Sequence, residues 1–151
     1  MNLSDELMIP AARDRVYAAL QDPDILRKCI PGCEELIKTS DTELEAKVVL
    51  KIGPVKARFA GKVLLNPESP PERFSLTGEG SGGVAGFAKG GAVVTLEETE
   101  DGTRLIYEAK AEIGGKLAQL GSRLIQGTAK KLASTFFDDF QKALTEVPAE
   151  A

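Results

Sequence analysis

The hydrophobic period of the chain changes as it runs, and the changes mark out its elements. Leu3, Leu7 and Ile9 share one parity, with Asp5 as the misfit, which predicts a half-buried strand over Leu3–Ile9 closed by Pro10. Val16, Ala19 and Leu20 then follow at helical spacing within Ala12–Leu20, and Asp22-Pro23 is a start signal for a second short helix carrying Ile25 and Leu26. Pro31-Gly32 ends this helical section.

From Glu34 the period is two. Over Thr42–Ile52, Leu44, Ala46, Val48, Leu50 and Ile52 alternate with a mainly charged set, so one face is dry and the other wet. Gly53-Pro54 makes a turn, after which Val55, Ala57, Phe59, Val63 and Leu65 face one way and Lys56, Arg58 and Lys62 the other, which predicts a hairpin. Further strands are expected at Arg73–Glu79, Ala92–Glu98 and Thr103–Ile113, the last two joined by the acidic turn Glu100-Asp101-Gly102. The final segment, Lys116–Leu144, spaces Leu117, Leu120, Leu124, Ile125, Leu132, Phe136, Phe140 and Leu144 by threes and fours, a helix of about 40 Å. The fold class is therefore α+β: a curved antiparallel sheet gripping a long C-terminal helix, with two short helices after the first strand. No repeat or low-complexity block divides it, so residues 1–146 are expected to form a single domain and 147–151 a flexible C-terminal tail.

Composition narrows the chemistry. With 151 residues, 42% hydrophobic and 28% charged, the chain can bury a core without staples. The net charge of −4 disfavours nucleic acid as a partner. The absence of histidine removes Ser-His-Asp triads, Cys-His nucleophiles, HExxH zinc sites and imidazole switches. Met1–Pro10 has neither a basic flank nor a long apolar run, so neither a signal peptide nor an anchor is expected, and a cytoplasmic location is. Cys29 and Cys33, in CIPGC, have a spacing that is neither the CxxC of redox enzymes nor half a zinc ribbon; two ordinary thiols are expected, a redox-sensitive pair being the alternative.

The most conspicuous local feature is GEGSGGVAGFAKGG, Gly78–Gly91, with a formal GxGxxG at Gly78, Gly80 and Gly83. A dinucleotide site would need a helix to follow, yet Ala92, Val94 and Leu96 continue as a strand, and no phosphate-binding lysine motif is present. Two readings remain for the segment. It is either a structural bend, bulge or flexible loop between two strands or a gating loop of Gly82, Gly83, Gly86, Phe87 and Gly90 that moves the Phe87 ring over a cavity mouth. Asp138 and Asp139, adjacent on a helix, diverge by about 100° and cannot share a proton as a catalytic pair. Lys116, Arg123, Lys130 and Lys131 leave the long helix with a weakly basic face, suited to anionic headgroups or an acidic partner, or merely to solubility.

CIPGCEEL at Cys29–Leu36 and the glycine-rich stretch through Glu98 resemble the G-subunit family of carbon-monoxide dehydrogenase. The opening PAARDRVYAALQDPDILRKCIPGC, the hairpin IGPVKARFAGKV and the helix GGKLAQLGSRLIQGTAKKLASTFFDDF extend the likeness to nearly the whole chain. The resemblance implies a START-like, helix-grip fold, related to the birch-pollen allergen and to polyketide cyclase and lipid-transport proteins, with a cavity for hydrophobic ligands. It implies a non-catalytic accessory of a carbon-monoxide dehydrogenase or related molybdenum hydroxylase that holds a lipid or quinone, recruits the enzyme to the inner face of the cytoplasmic membrane, or does both. No catalytic residue, metal or cofactor of this chain's own is expected. Parity and helical phase, read with the helix-grip likeness, nominate Phe59, Phe74, Phe87, Tyr107, Leu120, Leu124 and Phe136 as lining residues. A small cyclase or hydratase with Tyr107 as its ionisable group, or an adaptor with a filled core, are the alternatives.

Overall fold

The computed structural model describes residues 1–145. The expected tail at 147–151 lies outside the described residues, as does the last residue of the expected domain. Strand β1 (Asn2–Ile9) leads into two short helices, α1 (Arg13–Ala19) and α2 (Pro23–Cys29), then into six strands: β2 (Cys33–Ser40), β3 (Glu43–Ile52), β4 (Val55–Ser69), β5 (Arg73–Ser81), β6 (Phe87–Thr99) and β7 (Gly102–Gly114). A 3₁₀ turn at Gly115–Leu120 precedes the long helix α3 (Ser122–Thr145). The seven strands form one antiparallel sheet in the order β1-β7-β6-β5-β4-β3-β2, so β1 closes back onto the last strand and every other neighbour is a hairpin partner.

Local chemistry sets the entry to α2 and the exit from it. Asp22 caps α2 by accepting the Asp24 amide at 2.9 Å, with Pro23 in the first turn. The chain leaves α2 through Ile30-Pro31-Gly32, where Gly32 has φ +77° and its carbonyl accepts from the Val49 amide at 2.9 Å. A Cβ at Gly32 would lie 2.0 Å from the Val49 carbonyl oxygen, so the motif CIPGC needs glycine both for its backbone angle and for its close approach to β3.

Two expectations are corrected. The long helix does not start at Lys116: Gly121 adopts φ +96°, which an α-helix cannot hold, so Leu117 and Leu120 belong to a 3₁₀ turn and α3 begins at Ser122. The glycine-rich stretch is not a loop either. β5, expected to end at Glu79, runs on to Ser81, and β6 starts at Phe87 rather than Ala92, leaving only residues 82–86 as a connection, so Gly80, Gly90 and Gly91 are strand residues.

The wet face of the sheet is charge-paired. Glu45, Lys62, Glu79, Lys89 and Glu112 stand opposite one another across five successive strands, β3 to β7, alternating in sign. Lys89 reaches Glu112 at 3.6 Å, and Lys62 reaches Glu43 one step along at 3.3 Å. Each exposed pair contributes a few tenths of a kcal/mol up to about 1 kcal/mol, but the alternation also rejects a register slip that would set like charges together.

The dry face grades in size from one end to the other. One cross-strand row is Ala46, Gly61, Gly80, Ala88 and Ile113; the next includes Val63, Gly78, Gly90 and Ala111. Leu65, Leu76, Ala92 and Ala109 follow, then Phe74, Val94 and Tyr107, and then Leu96, Leu105 and Leu7. The large end is covered by α1, α2 and the C-terminal half of α3, and there the core is dense: Ile9, Val16, Cys29, Leu96, Leu105 and Phe140 are each at most 1% exposed.

Candidate functional site

The small end of that gradient is hollow. A cavity of about 630 Å³ lies between the sheet and the N-terminal two-thirds of α3. Its floor is the two small-residue rows together with Val48, Leu50, Ile52 and Phe59. Its roof is Ile125, Thr128, Ala129, Leu132, Ala133 and Phe136, one stripe of α3 at intervals of three and four residues. Leu117 from the 3₁₀ turn and Ile30-Pro31 from the CIPGC bend complete the walls. The cavity exists because both walls are cut from glycine and alanine where they face each other, so helix and sheet stay apart without side chains to fill the gap. The curvature that makes the floor concave has the same origin. At Gly90 a Cβ would lie 2.0 Å from the Lys110 carbonyl oxygen, so β6 and β7 approach more closely than any side chain there permits.

The lining is almost wholly apolar. Lys62, Glu79, Lys89 and Lys110 border it through the thin glycine floor, but they have the parity of the wet face, where they also line its grooves. A site of this size and character suits the hydrocarbon body of a lipophilic molecule. Among the described residues no cluster of metal-ligating side chains occurs.

The structure divides the seven nominated residues. Phe59 and Phe136 line the cavity. Phe74 and Tyr107 share the dry face but belong to the dense end: Phe74 is 2% exposed and meets the Tyr17 ring edge-on at 5.5 Å, while Tyr107 stacks on Phe137 at 5.4 Å. Burial pushes the Tyr107 phenol above its ordinary value, and the Asp5 carboxylate on β1 pushes it the same way, so it stays protonated. Leu124 does not line the cavity. It is 38% exposed and turned to the β3–β4 turn, where its Cδ2 would sit 2.9 Å from a Cβ at Gly53. Leu120 closes the 3₁₀ turn outside the lining, displaced by the glycine that ends the turn.

Phe87 faces the wrong way for a gate. It has the parity of Lys89 on the wet face, and its ring covers Gly114, where a Cβ would fall 2.2 Å away. Of the expected gating residues, Gly90 is in the cavity floor and fixed in the β5–β6–β7 ladder. Gly82 sits over the Phe59 ring, 2.6 Å from where its Cβ would be, at the end of the β5–β6 connection. Gly83 and Gly86 carry the positive φ angles of that connection.

Cys29 and Cys33 are free thiols, Cys29 buried against α3. Burial pushes both above the ordinary thiol value, and the Asp139 carboxylate adds to the effect at Cys29, so neither has the lowered value of a reactive cysteine.

The sequence matches the CoxG family, described as the G subunit of carbon monoxide dehydrogenase, over residues 6–145. The chain belongs to that family. A conserved protein from Geobacillus kaustophilus of solved structure is similar throughout, with a TM-score of 0.90 and 33% identity over 97% of this chain and 96% of that one. A START superfamily protein from Mycobacterium smegmatis has a TM-score of 0.75 at 10% identity, over 97% of this chain and 99% of that one. A Thermus thermophilus protein has a TM-score of 0.74 at 18% identity, over 98% of this chain and all of that one. The last two likenesses concern the fold, which is START-like. No curated protein matches the sequence.

In this CoxG-family chain the apolar stripe of α3, rather than its leucine spacing as a whole, defines the site. Ala129, Ala133 and Thr128 carry too little apolar surface to stand out from the sequence as lining residues. The signal was available in the phase they share with Ile125, Leu132 and Phe136. Likewise the strand parity of Gly61, Gly78, Gly80 and Gly90 continues that of Phe59 and Val63 and of Ala88 and Ala92.

Proposed function

We propose that this chain is a non-catalytic accessory of a carbon-monoxide dehydrogenase or related molybdenum hydroxylase, carrying a lipid or quinone in its cavity at the inner face of the cytoplasmic membrane. The observation that carries the reading is the apolar space of about 630 Å³ between α3 and the sheet. It offers burial at about 25 cal/mol per Å² to an apolar ligand. It offers nothing to a reaction, since no ionisable side chain points into it, and the cyclase alternative loses its one group because Tyr107 is packed against Phe137 outside the lining. The same space speaks against an adaptor with a filled core. Family membership supports the enzyme as partner.

Charge supports the membrane part. No acidic residue occurs between Glu45 and Glu68 or between Glu112 and Asp138, and these runs meet where Gly53 approaches Leu124, at the end of the cavity bounded by Ile52, Leu117 and Ile125. Lys51, Lys56, Lys116 and Arg123 have no ion-pair partner among the described residues, so this end of an acidic protein is positive. Among the described residues no helix is long and apolar enough to cross a membrane. Contact of this kind would be peripheral and sensitive to salt.

Mass spectrometry of an organic extract from gently purified native protein tests the carrier role. A stoichiometric lipid or quinone, absent from an unrelated protein handled alongside, is expected; an extract as clean as the control counts against it. Cosedimentation with phosphatidylglycerol vesicles, and not with phosphatidylcholine vesicles, tests the membrane role.

A further inference from the structure

Because β3, β5 and β7 run the same way, the connections that follow them lie at one end of the sheet: Gly53-Pro54, residues 82–86 and the 3₁₀ turn Gly115–Leu120. The strand connections at the other end each carry acid, at Asp41, at Glu72 and at Glu100-Asp101. The first end carries none, since no acidic residue occurs from Ala46 to Pro67, from Gly80 to Leu96 or from Ile113 to Phe137. Lys51 and Lys56 even stand directly opposite each other across β3 and β4, a pairing of like charges that is unfavourable on its own.

The connection 82–86 at this end presents its side chains the wrong way round for water. Val84 is 86% exposed, whereas the smaller Ala85 beside it is 5% exposed. Backbone contacts hold this arrangement. The Gly82 amide donates to the Gly86 carbonyl at 2.8 Å and the Ala85 amide to the Gly82 carbonyl at 3.2 Å. Gly86 abuts the start of the 3₁₀ turn so closely that a Cβ at Gly115 would lie 2.5 Å from the Gly86 Cα, and Lys116 follows at once. Phe87 and Leu124 are further exposed apolar side chains at the same end. Single exposed apolar residues are ordinary, but a valine fixed outward on a tip beside unpaired cations marks a surface that meets something both apolar and anionic.

We propose that Val84 is a membrane wedge: it enters the acyl-chain boundary of an anionic bilayer, while Lys51, Lys56, Lys116 and Arg123 lie at the level of the headgroup phosphates. This rests on the membrane reading above and names the part of the chain that goes into the bilayer. A fluid bilayer accepts a projecting apolar tip without a matching pocket, which favours it over an acidic protein surface, and the division of apolar tip from cationic collar follows the layering of the bilayer interface. The end of the cavity bounded by Ile52, Phe59 and Leu117 then rests on the lipid, because Gly82 of the same connection sits over the Phe59 ring.

The chain has no tryptophan, so Val84→Trp gives it a single reporter. On phosphatidylglycerol vesicles containing phosphatidylcholine brominated on its acyl chains, the emission of this variant should move to the blue and be quenched. Met8→Trp, at the opposite end of the sheet, should show neither change. Val84→Asp should weaken cosedimentation with phosphatidylglycerol vesicles by about tenfold or more while keeping the wild-type circular dichroism. Lys116→Gln should weaken it roughly fivefold. Unquenched emission from Val84→Trp on vesicles that carry the protein down overturns the wedge and leaves the membrane reading standing, and so does equal cosedimentation of wild type and Val84→Asp. Failure of wild type to cosediment overturns the membrane reading itself and the wedge with it, and leaves an acidic protein surface as the occupant of this end.

Discussion

The two halves of the interface between α3 and the sheet are built on one helix and one set of strands, yet one is solid and the other hollow. In the C-terminal half, Phe136, Phe137 and Phe140 meet each other at ring distances of 4.9 to 6.4 Å, and Tyr107 stacks beneath them. Phe140 and Leu144 are buried to 0% and 2% exposure, and the Arg15 guanidinium donates to the Leu144 carbonyl at the end of the helix. In the N-terminal half the same stripe reads Ala129 and Ala133, over glycine on three adjacent strands. Amphipathic pattern is common to both. Side-chain volume is what differs, so the dense packing lies in the solid half and the hollow half keeps an open space of about 630 Å³.

The strongest way to break this division is to remove material from the solid half. Phe140→Ala should cost about 3–5 kcal/mol, because it deletes a fully buried ring whose neighbours are held in place around it. Urea denaturation followed by circular dichroism measures this, and a loss under about 1 kcal/mol would show that the C-terminal half is not the seat of stability. Adding material to the hollow half should act oppositely. Ala133→Leu places a side chain in existing space, and at about 25 cal/mol per Å² its burial should raise stability by roughly 1 kcal/mol. Diphenylhexatriene affinity should fall at least tenfold in the same variant. A destabilised Ala133→Leu with unchanged dye uptake would mean that the space is not open to a ligand.

Much of this was legible in the sequence where large residues alternate. β3, expected over Thr42–Ile52, is Glu43–Ile52, and β7 contains the expected Thr103–Ile113. The order of helices and strands and the grip of the long helix also follow from period alone. Glycine defeated the reading in two places for two reasons. In β5 and β6 it carries no side chain, so strand parity is lost between Gly80 and Gly91 and that segment resembles a loop. At Gly121 the leucine spacing continued through a residue whose backbone angle interrupts the helix. The site suffered from the same blindness. Phe59 and Phe136 were found because they are large, whereas the positions that create the cavity are small, and large residues such as Phe74 and Tyr107 mark where space has been filled.

A smaller effect sharpens the comparison, because it reports on the solid half alone. Cys29 lies in the seam between α2 and α3, 1% exposed, and its thiol is raised above the ordinary value of 9.0 by burial and by the Asp139 carboxylate. The folded protein therefore keeps a proton that the unfolded chain gives up first. Stability from this group is complete below the unfolded thiol value and declines as pH rises through that value toward the folded one, since the unfolded state there binds fewer protons. Cys33 and Tyr107, both raised mainly by burial, slope in the same direction, the phenol at higher pH. Under reducing conditions, unfolding free energy should thus fall between about pH 8 and 10, and Cys29→Ala should be less stable throughout but with a shallower slope. Diphenylhexatriene bound in the hollow half should raise the whole curve without changing that slope, because the cavity does not reach the α2–α3 seam at Cys29. A slope that flattens on dye binding would mean that the two halves of the interface are coupled.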